Sequence, residues 1–394
     1  MPYLQLAKLN VAGKRVLIRV DMNVPLQDNG AISDDTRIRA SLPSIQYCLQ
    51  QNASAVIIMT HLGRPIEGSP KTKDSILPIA KRLSELLQRP VAIIQQWSEA
   101  IQLAPNSVVM LENVRLNIGE KENDPDLSQR YAKLCDVFVH DAFGTAHRIE
   151  ASTYGVAKFA PVACAGFLLH QEIATLSLAL SKPAHPLLAI VAGAKISTKL
   201  SILNALADKV DQLVVGGSIA NTFLLASGYD IGASLAESAY LNEAKSIMDN
   251  MQRRHGLVPL PSDVIVTKNI SADATAVLKN IADILPEDKI VDFGSRSIAL
   301  LLQLIRQAKM IVWNGPIGVF EIAPFSHGTR ALAEAIGASD AFSIAGGGET
   351  IAAVTQFKVA DKMSYLSTGG GAFLAFLEGK TLPAIAILSA RFND

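Results

Sequence analysis

Short apolar runs rich in β-branched residues alternate along this chain with longer segments whose apolar positions recur every three or four residues. The runs fall at 16–20, 55–59, 91–94, 108–111 and 137–139 in the first half, and at 187–191, 213–215, 264–266, 310–313 and 342–344 in the second. Such alternation predicts buried strands in parallel sheets, with helices on both faces. Ligands bind beyond the carboxyl ends of strands in sheets of this kind, so the loops after the runs are where chemistry is expected. A helical stretch from about Leu168 to Leu180 ends at Pro183 and Pro186, which cannot continue it, and marks the best domain junction. A final apolar run begins at Leu382; the sequence alone does not say which domain it packs on.

Composition narrows the class without choosing a function. A chain of 394 residues fits two domains of about 150 to 200 residues each. With 49 % hydrophobic and 18 % charged residues it reads as a soluble globular protein, and 36 basic residues cancel 36 acidic ones. Global charge therefore points to neither a nucleic acid nor a membrane partner. Cys48, Cys135 and Cys164 are scattered and contain no C-x-x-C pair, which argues for a reducing compartment and small core residues. The N-terminus carries no long apolar or arginine-rich leader pattern, and the expected location is cytoplasmic.

The loops of the first half collect cations. Run 16–20 leads into Asp21-Met22-Asn23-Val24-Pro25, run 55–59 into Thr60-His61-Leu62-Gly63-Arg64-Pro65, and run 108–111 into Glu112-Asn113-Val114-Arg115. Run 137–139 leads into His140-Asp141, followed by a stretch ending in His147-Arg148. Asp21 and Asn23 taken alone read as turn formers. Arg37, Arg64, Arg115 and Arg148 with His61 on ligand-side loops suggest convergence on an anion, because guanidinium forks grip phosphate and carboxylate bidentately. His140, Asp141 and His147 match no compact zinc spacing and read as hydrogen-bonded structural groups.

The second half collects glycines at strand-to-helix junctions: Gly193 in Val-Ala-Gly-Ala-Lys195-Ile-Ser-Thr-Lys199, Gly216-Gly217-Ser218, Asn314-Gly315-Pro316 running on to Glu321, Gly346-Gly347-Gly348-Glu349-Thr350, and Ser367-Thr368-Gly369-Gly370-Gly371. Glycine lets the backbone approach an anion, and a helix N-terminus favours phosphate. Lys195 and Lys199, four apart, are expected to share a helix face around an anion. Glu349 suits a Mg2+ carried on nucleotide phosphates, and the Thr350 hydroxyl can donate to a phosphate oxygen. Glu321 can hold a ribose hydroxyl. No Walker A loop, G-x-G-x-x-G fingerprint, G-x-S-x-G elbow or H-E-x-x-H pair is present, so P-loop, dehydrogenase, hydrolase and zincin readings lack support. A non-catalytic nucleotide-binding protein would not need the arginines and Lys195 together.

Seven motifs, in order, resemble the phosphoglycerate kinase family: R-V-D-M-N-V-P (19–25), H-L-G-R-P (61–65), D-A-F-G-T-A-H-R (141–148), G-A-K-I-S-T-K (193–199), W-N-G-P-I-G-V-F-E (313–321), G-G-G-E-T (346–350) and S-T-G-G-G-A (367–372). The resemblance implies reversible phosphoryl transfer between 1,3-bisphosphoglycerate and ADP, giving 3-phosphoglycerate and MgATP. It implies an α/β architecture of two doubly wound parallel-sheet, Rossmann-like domains facing a central cleft and joined by a helix. The expected boundaries are 1–167 for 3-phosphoglycerate, 168–183 for the helix, 184–378 for the nucleotide, and 379–394 returning to the first domain. By similarity Asp21, Met22, Asn23, Arg37, His61, Leu62, Gly63, Arg64, Arg115 and Arg148 hold 3-phosphoglycerate. Gly193, Lys199, Gly217, Asn314, Glu321, Gly347, Gly348, Glu349 and Thr350 hold the nucleotide, with Glu349 nearest Mg2+. Arg37, Lys195 and Lys199 are the expected catalytic cations, in a monomer that closes by hinge bending. Three positions depart from the family pattern: Ser218 replaces a frequent glycine, Glu349 a common aspartate, and Arg148-Ile149-Glu150 a frequent Arg-Ala-His.

Overall fold

Six strands build one parallel sheet in the first part of the chain: β1 Arg15–Val20, β2 Ala55–Met59, β3 Val91–Ile94, β4 Ser107–Leu111, β5 Val137–Asp141 and β6 Val162–Ala165. Their spatial order is β3-β4-β2-β1-β5-β6, and every pair is parallel. Every residue of β2 and β5 is buried, as expected of strands covered on both faces. Helices Thr36–Gln50 and Leu77–Leu87 turn Ile38, Ile45 and Cys48, and Ile79, Ala80 and Leu83, toward the sheet at helical spacing. Helix Pro125–Ala132 begins with proline at its first position, and the Asp124 carboxylate accepts the Leu127 amide at 2.8 Å. β6, Val-Ala-Cys-Ala, was not among the expected strands because small residues give little β signal.

The computed structural model describes residues 2–27, 29–97, 101–181, 183–367 and 369–392. The chain divides into two units, Met1–Leu176 with Thr381–Asp394, and Ser177–Lys380, and the division falls within helix Phe167–Ser181. Asp141, at the end of β5, accepts the Leu169 amide at 3.0 Å and so caps that helix. Burial raises the Asp141 carboxyl to about 6. The last helix, Pro383–Ala390, belongs to the first unit: Ala384 N–H donates to Ala146 O at 3.1 Å and Ser389 Oγ to Pro2 O at 2.8 Å. Arg391 Nη1 donates to the carbonyls of Ala157, Lys158 and Ala160.

The second unit holds a five-stranded and a three-stranded sheet. The strands are β7 Leu187–Ala192, β8 Gln212–Gly216, β9 Asp263–Thr267, β10 Val277–Asn280, β11 Lys289–Phe293, β12 Met310–Asn314, β13 Phe342–Gly346 and β14 Tyr365–Ser367. The larger sheet runs β14-β13-β12-β7-β8 and is parallel throughout. The run at 264–266, expected to continue the parallel pattern, instead forms the centre of an antiparallel β10-β9-β11 sheet. A short excursion of 268–276 separates β9 from β10, too short for a crossover helix, so the chain can only fold back antiparallel. The five-stranded sheet carries buried, mainly apolar strands, including Leu188, Ile190, Ile311 and Trp313, whereas β10 at the edge of the smaller sheet is mostly exposed.

Candidate active site

In the first unit the loops after β1, β2 and β4 are tied into one surface by side chain to backbone hydrogen bonds. Met22 N–H donates to Thr60 Oγ1 at 2.9 Å, and Gly63 N–H donates to Asn23 Oδ1 at 2.9 Å. Fully buried Asn113 accepts the amides of Leu62 and Arg115, both at 3.2 Å, and donates to Leu62 O at 2.8 Å and Asp74 O at 2.9 Å. Arg115 Nη1 donates to Gly63 O at 2.6 Å. The backbone of Leu62 and Gly63 is therefore fixed from β1 on one side and β4 on the other.

Cations and carboxylates interleave around this frame. Arg37 Nη1 reaches Asp21 Oδ1 and Oδ2 at 3.4 and 3.3 Å and Asn23 O at 3.2 Å. His61 Nδ1 lies 3.9 Å from Asp21 Oδ1 and 3.3 Å from Arg19 Nη2. Burial, and then the charges of Arg19, Arg148 and Arg37, hold His61 well below its usual range. It is a neutral hydrogen-bonding group among the arginines with which the sequence grouped it. Arg115 and Arg148 both approach Glu150 Oε1, at 3.8 and 3.5 Å. Arg64 stands exposed on the loop after β2.

Beneath this layer lies a group that the site expectations did not include. Arg19, fully buried in β1, donates from Nε to Ser152 Oγ at 2.9 Å and from Nη1 to Val20 O. Ser152 also donates its amide and its hydroxyl to Glu120, which burial pushes up to about 7 against the opposing Ser152 hydrogen bonds and Arg19 charge. Among the described residues no group of three His, Cys, Asp or Glu side chains could hold a metal ion. His140 is buried and held down to about 3 by desolvation, and its Nδ1 accepts the Ala142 amide at 3.3 Å.

In the second unit a cavity of about 470 Å³ opens at the carboxyl ends of the parallel strands. Gly193, Gly217, Asp292, Ile317, Glu321 and Glu349 are among its walls. Gly315 has φ +105°, and a Cβ there would stand 2.0 Å from Ala192 O. Only glycine lets the loop after β12 cross β7 that closely. A Cβ on Gly348, the first residue of helix Gly348–Gln356, would meet nothing within 4 Å, so this helix N-terminus is open to an approaching group.

The two loops are bolted together. Asn314 Nδ2 donates to Gly346 O at 2.7 Å; Thr350 Oγ1 accepts the Gly315 amide at 2.8 Å and donates to Gly346 O at 2.9 Å. The Thr350 hydroxyl, expected to meet a phosphate, is fully buried and committed to this tie. Asp292, which the sequence did not single out, accepts the amides of Gly328 at 2.7 Å and Phe293 at 2.9 Å, and burial raises it to about 7. Thr368, in the last glycine junction, lies outside the described residues.

Lys195 and Lys199 do not share a helix face. Ile196–Thr198 form a single 3-10 turn with Lys195 extended before it, and the regular helix starts only at Leu200. Lys195 is exposed, while Lys199 folds back so that Nζ donates to Ala192 O and, at 3.5 Å, to Asn314 O. Desolvation lowers Lys199 to about 8, with the Glu349 charge opposing. Lys199 is thus a cation held on backbone carbonyls and within reach of the Glu349 charge.

The sequence matches the family described as phosphoglycerate kinase over residues 6–380. The chain belongs to that family. A solved structure of phosphoglycerate kinase from Coxiella burnetii is 50 % identical, with TM-score 0.93, over 99 % of this chain and 100 % of that one. Phosphoglycerate kinase from Pyrococcus horikoshii OT3 is 30 % identical, with TM-score 0.83, over 99 % of each chain. As a phosphoglycerate kinase the protein is an enzyme of glycolysis, transferring a phosphoryl group reversibly between 1,3-bisphosphoglycerate and ADP to give 3-phosphoglycerate and ATP. Its fold is the family's pair of Rossmann-like α/β domains.

Proposed function

We propose that the arginine loops of the first unit hold the phosphoglycerate and that the glycine junctions of the second hold the nucleotide. The observation that carries this division is the chemistry of the two surfaces. Arg37, Arg115 and Arg148 suit a small multivalent anion, and the uncrowded helix N-terminus at Gly348, with Lys199 near enough to feel the Glu349 charge, suits a polyphosphate chain. The acceptor in the ATP-consuming direction is a carboxylate with an unperturbed pKa of about 3.5, already ionised at neutral pH. No general base is required, and a neutral His61 is consistent with that. What the site must do is align an anionic nucleophile with an anionic γ-phosphoryl group and spread the charge of the transition state. Arg37 and Lys195 take that charge, with the amides of Gly347 and Gly348.

The donor set suits a hard cation on the nucleotide. Glu349 is an exposed carboxylate in the first turn of helix Gly348–Gln356, close enough to Lys199 to influence its ionisation. Mg2+, when bound, offsets the phosphate charge, and Glu349 is the side chain that would hold it. Because the two ligands belong to different units, we also propose that transfer follows an in-line path after hinge closure, in a monomeric cytoplasmic enzyme. The described residues contain no helix long and apolar enough to cross a membrane, and the cysteines are buried free thiols.

A coupled assay with 3-phosphoglycerate and MgATP tests the reading through its pH profile. Lys199 loses its proton as pH rises through about 8, and bound polyphosphate favours the protonated form. KM for MgATP should therefore climb above about pH 8, and Lys199→Arg should remove that climb, since a guanidinium stays charged. A flat wild-type profile would remove Lys199 from the nucleotide site.

A further inference from the structure

A carboxylate inside a site built for anions calls for a reason. Glu150 is a buried side chain whose Oε1 lies 3.8 Å from Arg115 Nη2 and 3.5 Å from Arg148 Nη1. Both distances exceed those of good charge-assisted hydrogen bonds. Arg115 Nε, Arg148 Nη1 and Glu150 Oε2 are buried, with no hydrogen-bond partner among the described residues. The three groups are thus close enough to share charge and too loosely joined to satisfy one another. A buried donor left in that state is costly, and a ligand that completes it recovers the cost.

We propose that Glu150 is a tethered competitor for the substrate arginines. It neutralises Arg115 and Arg148 while the site awaits ligand, and it opposes the bound phosphoglycerate, so that it sets affinity and release rate without taking part in transfer. The inference rests on the reading that these arginines hold the phosphoglycerate. Its physical basis is a charge balance: the surface carries Arg37, Arg64, Arg115 and Arg148 against Asp21 and Glu150, and Glu150 is the carboxylate shared by two of the guanidiniums. Without Glu150 two neighbouring cations would repel each other in the free enzyme, and the incoming anion would relieve that repulsion in full. With it, part of the relief is already present before binding.

The residue also has a structural duty, which decides the choice of variant. Glu150 is the N-cap of the single turn Ala151–Gly155: its amide donates to Thr153 Oγ1 at 3.2 Å, its carbonyl accepts from Tyr154 N–H at 2.9 Å, and its side chain caps the Thr153 amide. Glu150→Gln keeps an oxygen for that cap and removes only the charge.

Calorimetric titration of 3-phosphoglycerate into the wild type, Glu150→Gln and Arg148→Ala, with dissociation rates from stopped flow, tests the proposal. Glu150→Gln should bind about two- to tenfold more tightly, the range for one partly screened charge interaction, mostly through slower dissociation. KM for 3-phosphoglycerate should fall while kcat does not rise. Equal or weaker binding by a folded Glu150→Gln would overturn the proposal. If that variant does not fold, Glu150→Asp provides the reading: a carboxylate withdrawn by one methylene should tighten binding to a smaller degree, and no tightening would be equally fatal. Arg148→Ala binding as well as the wild type would instead remove the site assignment itself.

Discussion

Replacing Arg37 or Lys195 with alanine lowers kcat by about a hundredfold or more in each case, with a smaller change in KM. The expectation follows from where charge develops. Phosphoryl transfer between two anions leaves little covalent work for the protein, so donors that meet the transferring group act mainly on the transition state. Arg37 is held by Asp21 and the Asn23 carbonyl at the edge of the first unit's loops, and Lys195 stands exposed ahead of the 3-10 turn in the second. Arg37→Lys should recover only part of the loss, because a point charge cannot reproduce the planar fork. Steady-state kinetics in the ATP-consuming direction separate the two parameters. A loss confined to KM would make both residues ordinary binding groups.

Asn113→Ala should be the most damaging single change outside the contact residues. It removes four hydrogen bonds from a fully buried amide and leaves the amides of Leu62 and Arg115 and the carbonyls of Leu62 and Asp74 to find other partners. The cost is about 2–4 kcal/mol of stability in the first unit, in line with buried polar groups left unsatisfied. The same bonds hold the loop after β2, so KM for 3-phosphoglycerate should rise by about tenfold or more. Denaturant unfolding and kinetics on one preparation check both effects. Wild-type stability together with an unchanged KM would show that the loop is held by its other contacts.

The strand runs were legible because strands buried in a parallel sheet are written as unbroken apolar stretches; β1 to β5 of the first sheet stand where those runs lie. β6, β10, β11 and β14 were not, since small residues in the first, an exposed edge in the second, and runs that are short or broken by polar residues in the others carry little periodic signal. The antiparallel placement of β9 depends on the length of the chain that follows it, which a strand-by-strand reading does not weigh. At the site, residues on loops after strands announced themselves by charge and glycine. Arg19 sits inside an apolar strand, where a lone charge was the available signal, and its partners Ser152 and Glu120 are distant in sequence. Asn113 and Asp292 act through backbone groups that only the folded chain brings near. Lys195 and Lys199 misled the helix-face argument because a 3-10 turn intervenes.

Each unit should bind its ligand without the other, and hydrogen exchange with one ligand at a time reads this out. With 3-phosphoglycerate alone, amides in 21–23, 61–64 and 113–115 should slow while those in 193–199 and 346–350 keep their rates; with MgADP alone the pattern should reverse. Protection of 346–350 by 3-phosphoglycerate with no change at 61–64 would contradict the account.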